Sequence, residues 1–537
     1  MLKRSRAATV HTAAAMTSAA DRPAVAQPIP DLPSLIAAAR SGSADDVDRL
    51  GAVLVECALS GTQDAGVLLA ALAREPALLL RLDGIARHRD YYGYLPVRRG
   101  AWVDQACARF DAAGGCLDPV VLAVASLAAD GWVRERAVAA MGVRPVPELM
   151  PFLVLRTADW AGPVRERACA ALALALHWDP GYVGFAGPMA ARLVGRTRAD
   201  FALSQVNAVL SRLTDEQFTR LLAGPQPLLR RVVAAQAGRF RLPELVHLAL
   251  AESDPRTRDL LAETAAREAL WSGRHEFLHR LAAARSADVR AIALAGLLRA
   301  GLADQVTEHL ADPSPMVRAT ARFAARTAGI DVLERYRALL RGGRVEPGAV
   351  LGLAEAAVNG NAGADMARDL VEPFVADGVP QVRAAAVTAL RLLGVPTLAL
   401  IAPLLADPVP VVVRAAVAAV ESAGLQVESA QLLALLGDPA RPAGARRALY
   451  RLCRRQHSAL RVAGALVAAA ADDPKLVTWA TGDLREMAVP GGWPRRPSTL
   501  RVDLAGQDLV PDLETRIQQA RPVLPPDVYN VLAAAVA

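Results

Sequence analysis

The fold is decided by a short pattern that occurs at residues 312–324, DPSPMVRATARFA, and again at residues 377–389, DGVPQVRAAAVTA. In both segments an Asp precedes an apolar residue and an Arg, and small residues follow three and six positions after the Arg. Asp and Pro before such a run are typical of a turn and the first residues of a helix. Positions three and six apart share one helical face, so small side chains there let a second helix pack closely.

The pattern recurs along most of the chain. Its core is an apolar residue followed by Arg, at Val133-Arg134, Val164-Arg165, Leu229-Arg230, Val289-Arg290, Val317-Arg318, Val382-Arg383 and Val413-Arg414, with weaker members at Thr257-Arg258 and Ala445-Arg446. An Asp precedes several of these starts, at Asp159, Asp254, Asp312, Asp377, Asp407 and Asp438. Successive arginines are 28 to 32 residues apart, except for two gaps of 65 residues. Degenerate repeats at 197–213 and 347–358 fill these gaps, which gives about eleven repeats from residue 117 to near residue 466.

A period near 31 residues holds two helices of about a dozen residues each with short turns. The order Asp, apolar-Arg, then spaced small residues resembles the HEAT-repeat family, and most closely its short bacterial form, which phycobilin lyases also contain. The resemblance covers about two thirds of the chain. It implies an all-α, ARM-type fold, a right-handed α-solenoid of helical hairpins. It implies no particular partner, because such folds carry many functions.

The flanks of the array predict four segments. Residues 1–30 are expected to be a disordered leader, with Met16 as an alternative start, because residues 7–20 lack the Leu-rich core of a signal peptide. Residues 31–116 are expected to form a divergent helical cap, residues 117–471 the repeat array, and residues 472–537 a Pro-rich loop and a C-terminal helical cap. No uninterrupted apolar run reaches membrane-spanning length, and the odd, unpaired cysteines predict a protein of the reducing cytoplasm.

Composition agrees with a helical array. Hydrophobic residues make up 53 % of the 537 residues and aromatic residues only 4 %, so the interior must be built from Ala, Leu and Val. The net charge is +7 with a pI of about 9.5, and almost all of the positive charge is Arg. The five cysteines are odd in number and form no CxxC pair, which excludes a disulfide framework or a zinc-cysteine cluster and favours a reducing compartment.

The recurrent Arg has two interpretations. Stacked repeats would align it as an anion-binding stripe or as an internal ladder that pairs with the preceding Asp or with turn carbonyls. The fixed relation between Arg and Asp favours the internal ladder.

Two segments are candidate binding surfaces. Residues 87–102, RHRDYYGYLPVRRGAW, combine aromatic and Arg side chains, which are the usual anchors of interfaces; the candidates are Tyr91, Tyr92, Tyr94, Arg98, Arg99 and Trp102. The helix predicted at 443–457 carries Arg447, Arg451 and Arg455 four residues apart and contains no acidic residue. This basic face is either solvated or meets an acidic protein or phosphate.

A third segment matches a metal motif by its letters. Residues 275–279, HEFLH, place His275 and His279 one helical turn apart with Glu276 between them, as in zinc hydrolases. Gly273 indicates that a helix begins here, and the longer extension of that motif is absent. The pattern therefore favours ordinary repeat residues, with no metal and no cofactor expected.

The sequence predicts a non-catalytic scaffold or adaptor that binds another protein through the surface of the solenoid. Nucleic-acid binding through Arg-rich faces is the alternative, with a precedent in HEAT-like DNA glycosylases. An enzyme is the third interpretation, either a metal hydrolase using the HEFLH segment or a lyase by family resemblance. A concave face crowded with Arg would favour nucleic acid, and a mixed, apolar face would favour protein.

Overall fold

The computed structural model describes residues 32–87, 100–112, 118–360, 363–490, 495–504, 510 and 512–537. Helix makes up 78 % of the structure, and these ranges contain no strand. The predicted all-α fold is therefore confirmed. Contacts divide the chain into two compact units, residues 1–236 and residues 237–537. The four predicted segments, the count of about eleven repeats and the handedness of the solenoid stay predictions.

The first unit consists of short helices joined by tight turns. They are α1 (Leu32–Ser41), α2 (Ala44–Ser60), α3 (Asp64–Ala73), α4 (Pro76–Arg87), α5 (Ala101–Ala112), α6 (Pro119–Ala125), α7 (Gly131–Val143), α8 (Met150–Thr157), α9 (Gly162–Trp178), α10 (Val183–Leu193), α11 (Asp200–Leu210), α12 (Asp215–Leu222) and α13 (Pro227–Ala234). Short 3₁₀ turns at Pro147–Leu149 and Pro180–Tyr182 lead into α8 and α10.

The second unit also consists of short helices joined by turns. Its helices are α14 (Leu242–Ala251), α15 (Pro255–Trp271), α16 (Glu276–Ala282), α17 (Ala287–Arg299), α18 (Ala303–Thr307), α19 (Pro315–Thr327), α20 (Val332–Arg341), α21 (Pro347–Gly360), α22 (Ala364–Val371), α23 (Pro380–Leu392), α24 (Leu398–Ile401), α25 (Pro410–Ala423), α26 (Ser429–Gly437), α27 (Ala443–Arg455), α28 (Ser458–Ala469), α29 (Pro474–Ala488), α30 (Pro497–Leu504), α31 (Leu513–Gln519) and α32 (Pro526–Val536). Further 3₁₀ turns occur at Ala237–Arg239, Glu308–Ala311, Glu372–Ala376 and Ala402–Ala406.

Each predicted Val-Arg start begins the second helix of a pair. Within the second unit α14 packs on α15, α16 on α17, α18 on α19 and α20 on α21. Second helices also contact one another in sequence, from α15 through α17, α19, α21, α23 and α25 to α27, and from α7 through α9 to α11 in the first unit. The two degenerate repeats predicted at 197–213 and 347–358 are present as α11 and α21.

Local chemistry sets where the second helices begin and end. The carboxylates of Asp312, Asp377 and Asp407 each accept a hydrogen bond from the backbone N–H two residues later, at 2.7–2.8 Å. The predicted N-terminal cap is therefore a turn that lies two residues before the cap position, and Asp254 is a true cap that accepts from the N–H of Thr257. Glycines in the left-handed conformation end these helices, as at Gly329 with φ 73°.

The small residues of the pattern lie in the core. Ala321 and Ala324 on α19, like Ala386 and Ala389 on α23, are fully buried. At Gly296 on α17 a Cβ atom would lie 2.8 Å from a methyl group of Leu278 on α16, so a larger residue there would require the leucine side chain to shift. No described helix is both long and apolar enough to span a membrane.

Candidate functional site

The repeat arginines are bound to the turns that precede them. Nη1 of Arg290 donates to the carbonyl oxygens of Ala284 and Arg285 at 2.9 and 3.0 Å, six and five residues earlier. The same two positions accept from Arg134, Arg318 and Arg383. This confirms the predicted contact with turn carbonyls.

The other edge of the guanidinium connects one repeat to the next. Arg290 donates from Nε and Nη2 to Asp312 at 2.8 and 2.7 Å. Arg383 is bonded in the same way to Asp407, and Arg134 to Asp159. The prediction that each Arg pairs with its own preceding Asp is corrected, because the carboxylate belongs to the following repeat. We call the set Arg134, Arg290, Arg318 and Arg383 the arginine ladder.

Where the following Asp is missing, another carboxylate replaces it. The degenerate repeat after α19 offers no Asp to Arg318, and Glu355 on α21 accepts from both Arg318 and Arg322. Arg318 and Arg322 are both buried. The hydroxyl of Tyr336 beside this cluster donates to the carbonyl of Leu310 at 3.0 Å. The ladder thus continues through a repeat that the sequence pattern does not mark.

Electrostatics show how firmly the ladder is held. Burial alone would raise the pKa of Asp312, but hydrogen bonds from Arg290 and from the N–H of Ser314 hold that pKa below its usual value of 3.8. The side chain of Asp312 is only 6 % exposed and that of Arg290 only 14 %. These guanidiniums already donate on two edges, so they offer little to an external anion.

One of the three arginines on the basic face of α27 is bonded to a carboxylate of another helix, and the other two are exposed. Nε and Nη2 of Arg447 donate to Asp473 at 2.6 and 2.7 Å, and the hydrogen bond lowers the pKa of Asp473. Asp473 itself is the N-cap of α29. The helix itself contains no acidic residue, as the sequence showed, but the next repeat supplies a carboxylate to Arg447. Arg451 and Arg455 are exposed.

The aromatic segment is described only at its end. Tyr91, Tyr92, Tyr94, Arg98 and Arg99 lie outside the described residues. Trp102 is 4 % exposed, its ring packs against Gly51, and its indole N–H donates to Asp48 at 2.9 Å. Its ring therefore stabilises the first unit, which removes Trp102 from the candidate binding residues.

The HEFLH segment begins a short helix, as its glycine indicated. His275 is the N-cap residue of α16, while Glu276 and His279 point to a surface where both are exposed. Glu276 accepts a hydrogen bond from Nε of Arg274 at 3.2 Å. Within the described ranges no three His, Cys, Asp or Glu side chains are grouped as metal ligands. That the protein holds no metal stays a prediction.

Two thiols have environments that disfavour nucleophilic chemistry. Burial, with the nearby carboxylates of Asp104, Asp111 and Asp130, raises the pKa of Cys107 to about 11. Burial also raises the pKa of Cys453 to about 12. Because the thiolate is the reactive form, both side chains are protonated and unreactive near neutral pH.

The feature that sequence reasoning missed is a set of large apolar side chains exposed on the second helices. Counted from the repeat Arg, they occupy positions −2, +5, +9 and +13, which span about 80° of a helix at 100° per residue. We call them the exposed stripe: Trp132, Val143, Leu174 and Trp178 in the first unit, and Trp271, Met316, Phe323 and Leu392 in the second. Trp271 is 89 % exposed and Trp132 is 78 % exposed.

A groove runs beside the stripe in the second unit. It has a volume of about 330 Å³ and lies between α15 and α17, with Ile292 and Ala295 in its lining. Arg267 and Arg299 line its edges, and neither forms an ion pair with a described residue. Glu263 adds a negative charge, so this face combines apolar groups with charges of both signs.

Comparison with known proteins gives no family by sequence. No protein-family model matches the chain, and no curated protein matches it. Solved structures do match, at low identity. Kap121p bound to Ste12p is 14 % identical with a TM-score of 0.30, over 92 % of this chain and 65 % of the Kap121p chain.

Two other structures show a similar level of likeness. Kap95p, from a study of its binding to RanGDP, is 11 % identical over 94 % of this chain and 84 % of its own, with a TM-score of 0.29. A chain from a study of cadherin and beta-catenin is 14 % identical over 84 % of this chain and 99 % of its own, with a TM-score of 0.21. With TM-scores this low, the fold assignment rests on the helix pairs described above.

Proposed function

We propose that the protein is a non-catalytic scaffold that binds another protein through the exposed stripe of its second unit. The observation that carries this proposal is the exposure of tryptophan. Trp271 in that stripe is 89 % exposed, and Trp132 and Trp178 at equivalent positions of the first unit are each at least 66 % exposed, in a chain with only 4 % aromatic residues. Tryptophan is the residue most enriched at binding hot spots, because a large ring that leaves water on binding contributes much free energy.

The position of these side chains supports a shared role. Trp178 and Trp271 both stand at position +13 of their repeats, on the last turn of α9 and of α15. Trp132 and Met316 both stand at position −2. The helices α15, α17 and α19 contact one another in sequence, which supports a surface that extends across them. Such an extended surface is what repeat proteins use to bind partners.

The chemistry of the stripe favours a protein over nucleic acid. A nucleic-acid surface needs unpaired cations along a phosphate path. The ladder guanidiniums instead donate to turn carbonyls and buried carboxylates, so part of the basic composition is used inside the fold. Near the stripe, Glu263 accompanies Arg267 and Arg299 among apolar side chains, which fits a mixed protein interface.

Affinity capture with variants tests the proposal. The full chain, with nuclease-treated and untreated extract, is compared with a Trp271→Ser/Phe323→Ser variant by quantitative mass spectrometry. Proteins retained by the wild type after nuclease treatment and lost from the variant are the expected result. Each such protein is then purified and its binding to the full chain reconstituted.

The matched control is Trp479→Ser. Trp479 is 44 % exposed on α29 and stands outside the stripe, so its removal subtracts an exposed indole without touching the proposed surface. Equal losses of captured proteins in both variants would mean that nonspecific binding to exposed aromatic side chains explains the capture. Capture that disappears with nuclease treatment would support nucleic-acid binding instead.

A further inference from the structure

A second site lies near the C-terminal end of the chain, apart from the exposed stripe. It is a cavity of about 540 Å³ within the second unit, a size typical of small-molecule sites. The ends of α26 and α28 form its apolar wall with Leu436, Leu466 and Val467, and Val523 closes it beyond α31. Two arginines, one from α27 and one from α31, also line it.

The first of these arginines is Arg446, which is 4 % exposed. Its Nη2 donates to Asp472, whose own side chain is 70 % exposed at the mouth of the cavity. Its Nε–H is buried and has no hydrogen-bond partner among the described residues. A buried donor without a partner is costly, so an acceptor placed in the cavity would be favoured.

The second is Arg516, whose Nε–H is likewise buried without a described partner. Its whole guanidinium forms no hydrogen bond or ion pair with the part of the chain that the structure describes. Asp472 is already bonded to Arg446, so the cavity holds one guanidinium charge in excess of its carboxylates. Guanidinium groups match the planar, two-oxygen geometry of a carboxylate.

We propose that this cavity binds an organic carboxylate with an apolar body. The carboxylate would accept hydrogen bonds from Arg516 and from Nε of Arg446, and the apolar body would contact Leu436, Leu466 and Val523. Two sources share this chemistry, namely a free aliphatic acid and the carboxyl terminus of an apolar peptide. An anion without an apolar part, such as inorganic phosphate, would leave that wall in contact with water.

Calorimetric titration of the full chain tests the site with defined probes. The probes are octanoate, an apolar tripeptide with a free carboxyl terminus, the same tripeptide amidated, 1-octanol and inorganic phosphate. Saturable binding of octanoate or of the free tripeptide is expected, with affinities at least ten-fold above those of the amidated tripeptide, octanol and phosphate. Whichever of the two carboxylates binds more tightly identifies the source.

Variants connect that binding to this cavity. Arg516→Gln should weaken the carboxylate at least ten-fold, and its folding should be normal because no described group depends on that guanidinium. Ala470→Phe places a ring in the cavity and should abolish binding. Arg485→Gln is the control, since it removes the same charge from an exposed position of α29, outside the cavity. Absence of carboxylate binding, or equal affinity in Arg516→Gln and the wild type, would overturn the proposal.

Discussion

Replacing Arg290 with Ala tests the arginine ladder at one ion pair that connects two repeats. The substitution removes four hydrogen bonds, two to Asp312 and two to the turn carbonyls of Ala284 and Arg285. It also leaves Asp312, which is 6 % exposed, with only the N–H of Ser314 as a partner. Breaking a buried ion pair from one side costs about 3–5 kcal/mol. Because Arg290 is 14 % exposed, we expect a loss near the lower end, about 3 kcal/mol.

Urea unfolding of the full chain, followed by circular dichroism, measures this loss. Repeat arrays can unfold in parts, so amide hydrogen exchange is followed in parallel, and faster exchange is expected first in α17 and α19. Arg299→Ala is the matched control, because it removes the same residue type from an exposed position of α17. The control should change stability by less than about 0.5 kcal/mol. Equal stability of the two variants would refute the structural role of the ladder.

The remaining predictions concern acid, the basic face and metal. Hydrogen bonds hold the pKa of Asp312 below 3.8 in the folded protein. The ion pair with Arg290 therefore stabilises the fold at pH values above 3.8, and this stabilisation is lost as the pH falls through the lower pKa of the folded state. The unfolding midpoint of the wild type should thus fall more steeply below about pH 4 than that of Asp312→Asn. The same dependence of the midpoint on pH in both proteins would argue against the Arg290–Asp312 ion pair. Arg447→Glu should lower the melting temperature, since Asp473 loses its partner, while Arg451→Glu should not; identical melting curves would exclude that pairing. Elemental analysis should find no stoichiometric zinc, and one zinc per chain that is lost in His279→Ala would show a metal site.

Much of the fold could be predicted because the repeat is a local signal. An Asp-Pro turn, an apolar-Arg pair and small residues at fixed spacing each determine part of one helical hairpin, and all three agree. The glycines after the second helices, such as Gly301 and Gly329, were an equally regular signal of helix ends. They fall eleven residues after their repeat arginines, so aligning the repeats would have found them.

The partner of each repeat Arg could not be predicted from one repeat. Arg290 and Asp312 are 22 residues apart, and only the stacking of two hairpins brings them together. The same limit applies to α27, where Arg447 pairs with Asp473 of the following repeat. Glu355 has no counterpart in the pattern at all, because it replaces a missing Asp from another helix position.

The candidate site was missed for a different reason. Tryptophan and phenylalanine in an apolar repeat are expected in the core, as Trp102 is. Trp132 and Trp271 are exposed because they lie at helix ends, Trp132 before the first buried residue of α7 and Trp271 after the last buried residue of α15.

The most direct test of the account is the affinity of the reconstituted complex with the Trp271→Ser/Phe323→Ser variant, measured by calorimetry. Truncating a hot-spot residue costs about 2 kcal/mol or more, so each side chain should contribute roughly 30-fold to the dissociation constant. We predict a dissociation constant at least 30-fold higher for this variant, with Trp479→Ser and the melting temperature unchanged. A dissociation constant within about two-fold of the wild type would contradict the claim that the exposed stripe is the binding surface.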